Sequence, residues 1–422
     1  MNIYIKKMGC KVNDYEANSI ATSLKAKGHT VCENENLADI AVVVTCAVTN
    51  EAEAKSRQMV GSFHKKNPNA KIIVCGCSSE NDSEAYSRKD GVVAVLGTTN
   101  KTKIIKLVED IKQGLEFNKN QKDMQNLTYE NYEYPIFDRT RHFIKVQDGC
   151  NNFCSYCLIP YIRGRSRSRE LEDVYAEALF ASKYSREIVF TGINVSDYKT
   201  SNGEGLAELM LKLRKIDARI RFSSMECNII DEKLLKMLRE SPNFCPHFHL
   251  PLQSGCDKTL KDMNRKYTIA EYLDKIKLIR KYFPHAGITT DVIVGYPTET
   301  DEDFAITVQT IEKAGFSDIH AFKYSPRKGT ACSKLKMLSS DILESRKNIL
   351  FTIKAKLAKV FIKANVGKEV EMLTENIKDG YYVGYSREYI KLYLQSDKAG
   401  PSEVANVRCV KEFRNGLLVE LI

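Results

Sequence analysis

Residues 149–157 read "GCNNFCSYC", which places Cys150, Cys154 and Cys157 at successive spacings of four and three. With 13 cysteines in the 422-residue chain, chance produces such a triplet on the order of one per cent of the time. Its chemistry is that of a metal or redox group. A structural zinc takes four ligands, and no second CxxC or His pair lies close by to complete the set. A thioredoxin-like dithiol needs only two cysteines. Three thiolates suit a four-iron–four-sulfur cluster in which one iron keeps an open position. The missing ligand then has a purpose, because a substrate or cofactor can fill it.

A second set is dispersed. Cys10, Cys46 and Cys77 each close an apolar stretch, "IKKMGC", "VVVTC" and "VCGC". These stretches read as strands separated by helices with Asn/Asp starts and 3.6-residue periodicity, the βαβ rhythm of a doubly wound parallel sheet. The carboxyl ends of such strands converge on a ligand crevice, so the three thiols are able to meet there. The alternative is that each is a small buried hydrophobe, a common use of free Cys. Cys75, two residues before Cys77, leaves the third ligand open between the two.

Composition sets the frame for both sets. The chain is 43% hydrophobic and 28% charged, ordinary for a globular protein of two or three domains. No apolar run approaches a membrane span, and "MNIYIKKMGC" lacks the apolar core of a secretory signal, so the cytoplasm is the expected compartment. Cysteines there serve metal or redox chemistry more readily than disulfides. A formal charge of +10 favours an anionic partner, nucleic acid first.

The elements that must position these residues form an α/β chain in three parts. Residues 1–116 carry the doubly wound parallel sheet, with four strands ending at "VVAVLG". Residues 117–138, polar and Asn-rich, read as a linker. Residues 139–362 restart the strand–helix alternation with six βα units, which predicts a partial (β/α)6 barrel rather than a full eight-unit one. Residues 363–422 alternate at period two between turn signals, predicting a small antiparallel β-barrel.

"CNNFCSYC", with Tyr156 just before its last cysteine, resembles the CxxxCxxC motif of the radical S-adenosylmethionine (SAM) enzymes. "GCKVNDYE", "TCAVTNEAEAKSR" and "VCGCSSE" resemble the cysteine segments of their methylthiotransferase branch, as do "HLPLQSGCDKTLKDMNRKYT", "DVIVGYPTETDEDF" and "HAFKYSPRKGT". The likeness covers essentially the whole chain, the last part corresponding to the domain called TRAM. It implies one [4Fe-4S] cluster on Cys150, Cys154 and Cys157 and another on Cys10, Cys46 and Cys77. It further implies that SAM serves both as radical source and as methyl donor, and that no His or carboxylate is catalytic. By resemblance and strand position, Tyr156, Gly192, Asn194, Ser224, Glu226, Gln253 and Gly295 are the expected SAM contacts. Cys227 stands where the family usually has proline and has no assigned role. Cys32, Cys245, Cys256, Cys332 and Cys409 read as packing residues, and the seven His show no ligand spacing.

"GCKVNDYE" and "QSGCD" most resemble the enzymes acting on carbon 2 of N6-threonylcarbamoyladenosine at position 37 of tRNA, next to the anticodon. The implied partners are the tRNA anticodon stem-loop and an electron donor such as flavodoxin or ferredoxin; the sulfur donor is not implied. The other family substrates are isopentenyladenosine in tRNA and an aspartate of a ribosomal protein, and the alternative outside catalysis is an iron–sulfur RNA-binding protein. Residues 139–169 hold seven basic side chains (Arg139, Arg141, Lys145, Arg163, Arg165, Arg167, Arg169) against the single acid Asp148. Phosphate contacts from Arg163, Arg165, Arg167 and Arg169 would favour RNA. Residues 363–422, with nine basic and nine acidic side chains, are no cationic platform, although Tyr381, Tyr382, Tyr385 and Tyr389 could stack on bases or fill the barrel.

Overall fold

A computed structural model describes residues 1–122, 124, 127–137, 140–395 and 400–422, which excludes Arg139 of the basic run. The chain divides into two compact units. The first comprises residues 1–137, 147–168 and 325–333, and the second comprises 138–146, 169–324 and 334–422.

At the centre of the first unit, Ile40–Thr45 (IAVVVT) is buried at every position, as expected of a strand covered on both faces. The sheet is parallel throughout, in the order Thr30–Cys32, Asn2–Lys7, Ile40–Thr45, Lys71–Gly76, Val92–Val95. Helices Lys11–Ala26 and Lys103–Gln113 cover one face through Ile20, Leu24, Ile104 and Leu107, and Asn50–Lys66 covers the other through Val60 and Phe63. The edge strand Thr30–Cys32 was not expected from sequence. Three partly exposed residues are too short to display a period.

The polar stretch after residue 116 is more than a tether. Lys119 and Gln121 exchange backbone hydrogen bonds with Val95, Glu130 accepts from the Thr102 backbone and hydroxyl, and Tyr132 meets Tyr15 edge-on with centroids 6.1 Å apart. Its polarity serves these bonds.

All six expected barrel strands form in the second unit. They make two parallel three-stranded sheets, ordered Arg219–Phe222, Glu187–Thr191, Arg141–Lys145 and His247–His249, Gly287–Val294, Asp318–Lys323. Ile188, Phe190, Ile220, Phe222, Phe248, Leu250, Ile288, Val292 and Val294 pack in the core shared with the covering helices. Period two therefore turns the alternate residues Glu187, Arg219, Arg221, His247, His249 and Asp291 to the opposite side. Thr268 with Glu271, and Thr300 with Asp303, form the capping boxes that start two of the covering helices.

Glu187 is wholly buried among Arg141, Arg219 and Arg221. Burial alone would raise its carboxyl, but the three guanidiniums outweigh that and hold it well below the usual carboxylate range.

The C-terminal strands close a five-stranded barrel in the order Glu369–Lys378, Tyr381–Ser386, Lys391–Leu394, Gly416–Leu421, Val404–Phe413. One of its ladders, Lys391–Leu394 with Gly416–Leu421, is parallel, because the final hairpin returns beside a strand running the same way. Tyr389 stacks on Tyr385 (4.6 Å) and on His247 (4.9 Å), and Arg141 and Arg221 lie over its ring. These two tyrosines join the β-barrel to the (β/α) strands.

Candidate active site

Each cysteine of the dispersed set follows a strand of the parallel sheet. Cys10 is the N-cap of Lys11–Ala26, Cys46 follows Thr45, and Cys77 opens the short helix Cys77–Asn81 directly after Gly76. Two glycines permit the approach. Gly9 (φ +98°) brings its turn so close that a Cβ there would stand 2.7 Å from Cys46 Sγ. Gly76 (φ +108°) would place a Cβ 2.5 Å from the Thr45 carbonyl.

The thiols are close enough to feel one another's charge. Burial pushes the Cys46 thiol up to about 11, and the proximity of Cys77 and Cys10 adds to it. Burial also raises Cys77, with Cys10 contributing and Arg163 opposing. Cys75 is fully buried in the hydrophobic cluster that includes Ile73, Ala94 and Leu96. Three convergent thiols, two of them buried and one with a guanidinium N–H aimed at its sulfur, are a donor set that fits an anionic iron–sulfur cluster.

The CxxxCxxC loop belongs to the same unit. Gly149 (φ +73°) presses against the Arg165 carbonyl, where a Cβ would stand 2.0 Å from its oxygen. The Cys150 N–H donates to Gly164 O (3.1 Å), the Asn152 N–H to Cys150 Sγ (3.4 Å), and the Cys157 N–H to Cys154 O (3.0 Å). Phe153, at φ +37°, meets Tyr161 edge-on, and Arg165 lies 4.3 Å over its ring. The Cys332 N–H donates to Ser155 O (3.1 Å), so this buried cysteine steadies the loop through its backbone. A tight loop with a backbone donor on its first sulfur fits three cluster thiolates.

The expectation that Arg163 and Arg169 meet RNA phosphate is corrected by their burial. Arg163 is fully buried and bonded to Glu16, Asp148, Asn13 and Cys77; Arg169 is buried against Glu177 and the Asp173 carbonyl. Arg167 is partly buried on Asp148 and donates to the Arg163 carbonyl. Lys145 is buried and Arg141 pairs with Glu187 and Glu375, which leaves Arg165 as the exposed cation among the described residues of the run.

Of the residues expected to meet SAM, Tyr156 lies in the first unit, whereas Gly192, Asn194, Ser224, Glu226, Gln253 and Gly295 follow strand ends in the second. Ser224 is exposed and Asn194 buried. Glu226 has a partner not foreseen, Arg265, and its backbone N–H donates to Ser196 Oγ (2.6 Å). Gln253, at φ +64°, is pinned by backbone hydrogen bonds to Asp291 and Ile293. At Gly295 a Cβ would stand 1.8 Å from a Leu343 methyl, so packing requires glycine there.

Sequence reading also missed a convergence of His249, Asp291 and His320 from three adjacent strands, with ligand atoms all within 4.8 Å of one another. His249 Nε2 faces Asp291 at 3.2 Å and its Nδ1 faces Thr289 Oγ1 at 2.9 Å. Their positions at 249, 291 and 320 carry no local spacing; only the strand register brings them together.

Comparison with known proteins agrees with this geometry. Residues 144–311 match the Radical SAM superfamily, and residues 2–97 match Uncharacterized protein family UPF0004. The chain is 36% identical to the threonylcarbamoyladenosine tRNA methylthiotransferase MtaB of Thermotoga maritima, over 97% of this chain and 95% of that one. It is 34% identical to the tRNA-2-methylthio-N(6)-dimethylallyladenosine synthase of Thermodesulfovibrio yellowstonii, over 100% and 98% of the two chains. Among solved structures, the radical SAM methyltransferase TsrM of Kitasatospora setae shares the fold at 12% identity, with a TM-score of 0.60 over 79% of this chain and 77% of that one. With this fold, two sets of three cysteines and near-full-length likeness to named enzymes, the chain belongs to the methylthiotransferase family of radical SAM enzymes, which use SAM and [4Fe-4S] clusters.

Proposed function

We propose that this enzyme methylthiolates carbon 2 of N6-threonylcarbamoyladenosine at position 37 of tRNA, binding the anticodon stem-loop. Carrying the reading is the presence of two three-cysteine sets in one compact unit, since sulfur insertion and radical generation need separate sites. Cys150, Cys154 and Cys157 hold one cluster and Cys10, Cys46 and Cys77 the other. With SAM bound, such clusters supply the one-electron chemistry that an unactivated aromatic C–H bond demands, beyond the reach of any side-chain acid or base.

The chain's own residues bind, orient and exclude water. The Asn152 N–H on Cys150 stabilises a thiolate, and in the dispersed set Cys46 and Cys77 are buried while Cys10 is exposed. Ser224, Asn194 and the Glu226–Arg265 pair are the polar groups at the strand ends that bind SAM. Arg165, exposed on Phe153, meets RNA phosphate. The electron donor is a flavodoxin or ferredoxin, and the compartment is the cytoplasm.

Mass spectrometry of tRNA nucleosides from a strain lacking the gene tests the substrate. Loss of methylthio-threonylcarbamoyladenosine supports the reading. Its persistence, with loss of the methylthio-dimethylallyladenosine that the second kind of relative is named for, would reassign the enzyme.

A further inference from the structure

The Arg163 side chain is fully buried, and every nitrogen of its guanidinium is bonded. Nε donates to Cys77 Sγ at 3.2 Å. Nη1 donates to Glu16 (3.2 Å) and Asp148 (3.0 Å), and Nη2 to Asn13 Oδ1 (3.0 Å) and Glu16 (3.4 Å). Two of these partners pass the contact on. Asn13 Nδ2 donates to the carbonyls of Met8 (2.6 Å) and Thr45 (3.0 Å), the backbone just ahead of Cys10 and Cys46. Asp148 Oδ1 also accepts the N–H of Gly149 (2.8 Å), the residue before Cys150. Arg163 therefore reaches one thiol of the dispersed set directly, the approaches to its other two through one amide, and the first cysteine of the CxxxCxxC loop through one carboxylate.

We propose that Arg163 is a positioning residue common to both cysteine sets, and that its N–H···S bond tunes the cluster held by Cys10, Cys46 and Cys77. The inference rests on the two-cluster reading given above. Burying an ion network is expensive, and an apolar cluster of similar volume often gives equal or better stability, so packing alone does not account for it. Glu16 is further balanced by buried Lys101, and Asp148 by Arg167. The guanidinium thus brings its N–H and its positive charge directly to the sulfur, where a cluster's thiolates are negative. A donor to a cluster sulfur, together with a positive charge beside it, favours the reduced cluster and raises its potential. The guanidinium's fork sets the Asn13 and Asp148 contacts at once, a geometry that an ammonium cannot copy.

The test uses full-length wild type, Arg163→Lys and Arg163→Met, each reconstituted anaerobically. A companion full-length chain with Cys150, Cys154 and Cys157 changed to alanine assigns the signals. Wild type should hold about eight irons, about four per cluster. In the Met variant, EPR-monitored reductive titration should move the midpoint of the cluster on Cys10, Cys46 and Cys77 to more negative potential. Its iron should leave to a chelator faster than from wild type, since losing a partner of a metal ligand commonly costs about 10- to 100-fold in metal affinity. The Lys variant should keep part of the potential yet release iron faster than wild type. If the Met variant fails to fold, the Lys variant carries the test. Two clusters in wild type with potentials and release rates unchanged in the folded variants would overturn the proposal, whereas four or fewer irons in wild type would overturn the two-cluster reading beneath it.

Discussion

Gly9 and Cys46 are in contact so close that glycine is the only residue the turn admits: its φ is +98°, and a Cβ would stand 2.7 Å from the Cys46 sulfur. Gly9→Ala should strain the backbone by about 1–3 kcal/mol and displace the Cys10 turn from Cys46. We expect reconstituted iron to fall from about eight to about four per chain while SAM cleavage to 5′-deoxyadenosine continues. Iron quantitation together with a cleavage assay checks both halves.

Replacing each cysteine set with alanine should separate the two activities. Loss of Cys10, Cys46 and Cys77 should halve the iron and stop methylthio transfer, with SAM cleavage retained in part. Loss of Cys150, Cys154 and Cys157 should abolish cleavage. Full transfer by the first variant would contradict the division of labour.

Arg165 is the exposed cation among the described residues of the basic run, and it lies over Phe153. Arg165→Ala should weaken tRNA binding and reduce the slope of log affinity against log salt by roughly 0.7–0.9, one phosphate contact. Fluorescence titration of an anticodon stem-loop at several salt concentrations reads that slope. An unchanged slope would remove Arg165 from the interface.

Glu187 makes the fold acid-sensitive. Its folded-state carboxyl titrates well below its unfolded value of about 4.3, so the unfolded chain binds the extra proton between those two values. The stabilisation is complete above the unfolded value and falls as pH drops through the window towards the folded one. Glu187→Gln leaves Arg141, Arg219 and Arg221 without their shared anion and should cost about 3–5 kcal/mol at neutral pH. Denaturant unfolding from pH 7 to pH 3.5 should show a shallower acid loss in the variant than in wild type.

Sequence patterns made the strand–helix order legible, because apolar runs and helix caps are local. That Cys10, Cys46 and Cys77 lie at strand ends was readable for the same reason, while their choice as one ligand set rested on the family likeness. "RGRSRSR" misled: a string of arginines looks like a charged surface, yet Glu16 is 147 positions from Arg163 in the chain. The His249–Asp291–His320 convergence and the Arg265 partner of Glu226 stayed hidden too, since long-range register alone creates them. Tyr389 was left between base stacking and barrel filling, and its place on His247 and under Arg221 is neither.

Because the first unit is assembled from residues 1–137, 147–168 and 325–333, it cannot be completed early in translation. The parallel sheet leaves the ribosome first, but Arg163 arrives later, and Arg327, which donates to Glu53, later still. At 5–20 residues per second the wait from the end of the sheet to residue 333 is roughly 10–50 s. For roughly the first 3–14 s of that interval, until residue 163 is made, three thiols stand at the ends of a finished sheet without their guanidinium. Iron–sulfur loading of the nascent chain would meet a half-built pocket, so cluster delivery is best timed to a chain nearly complete.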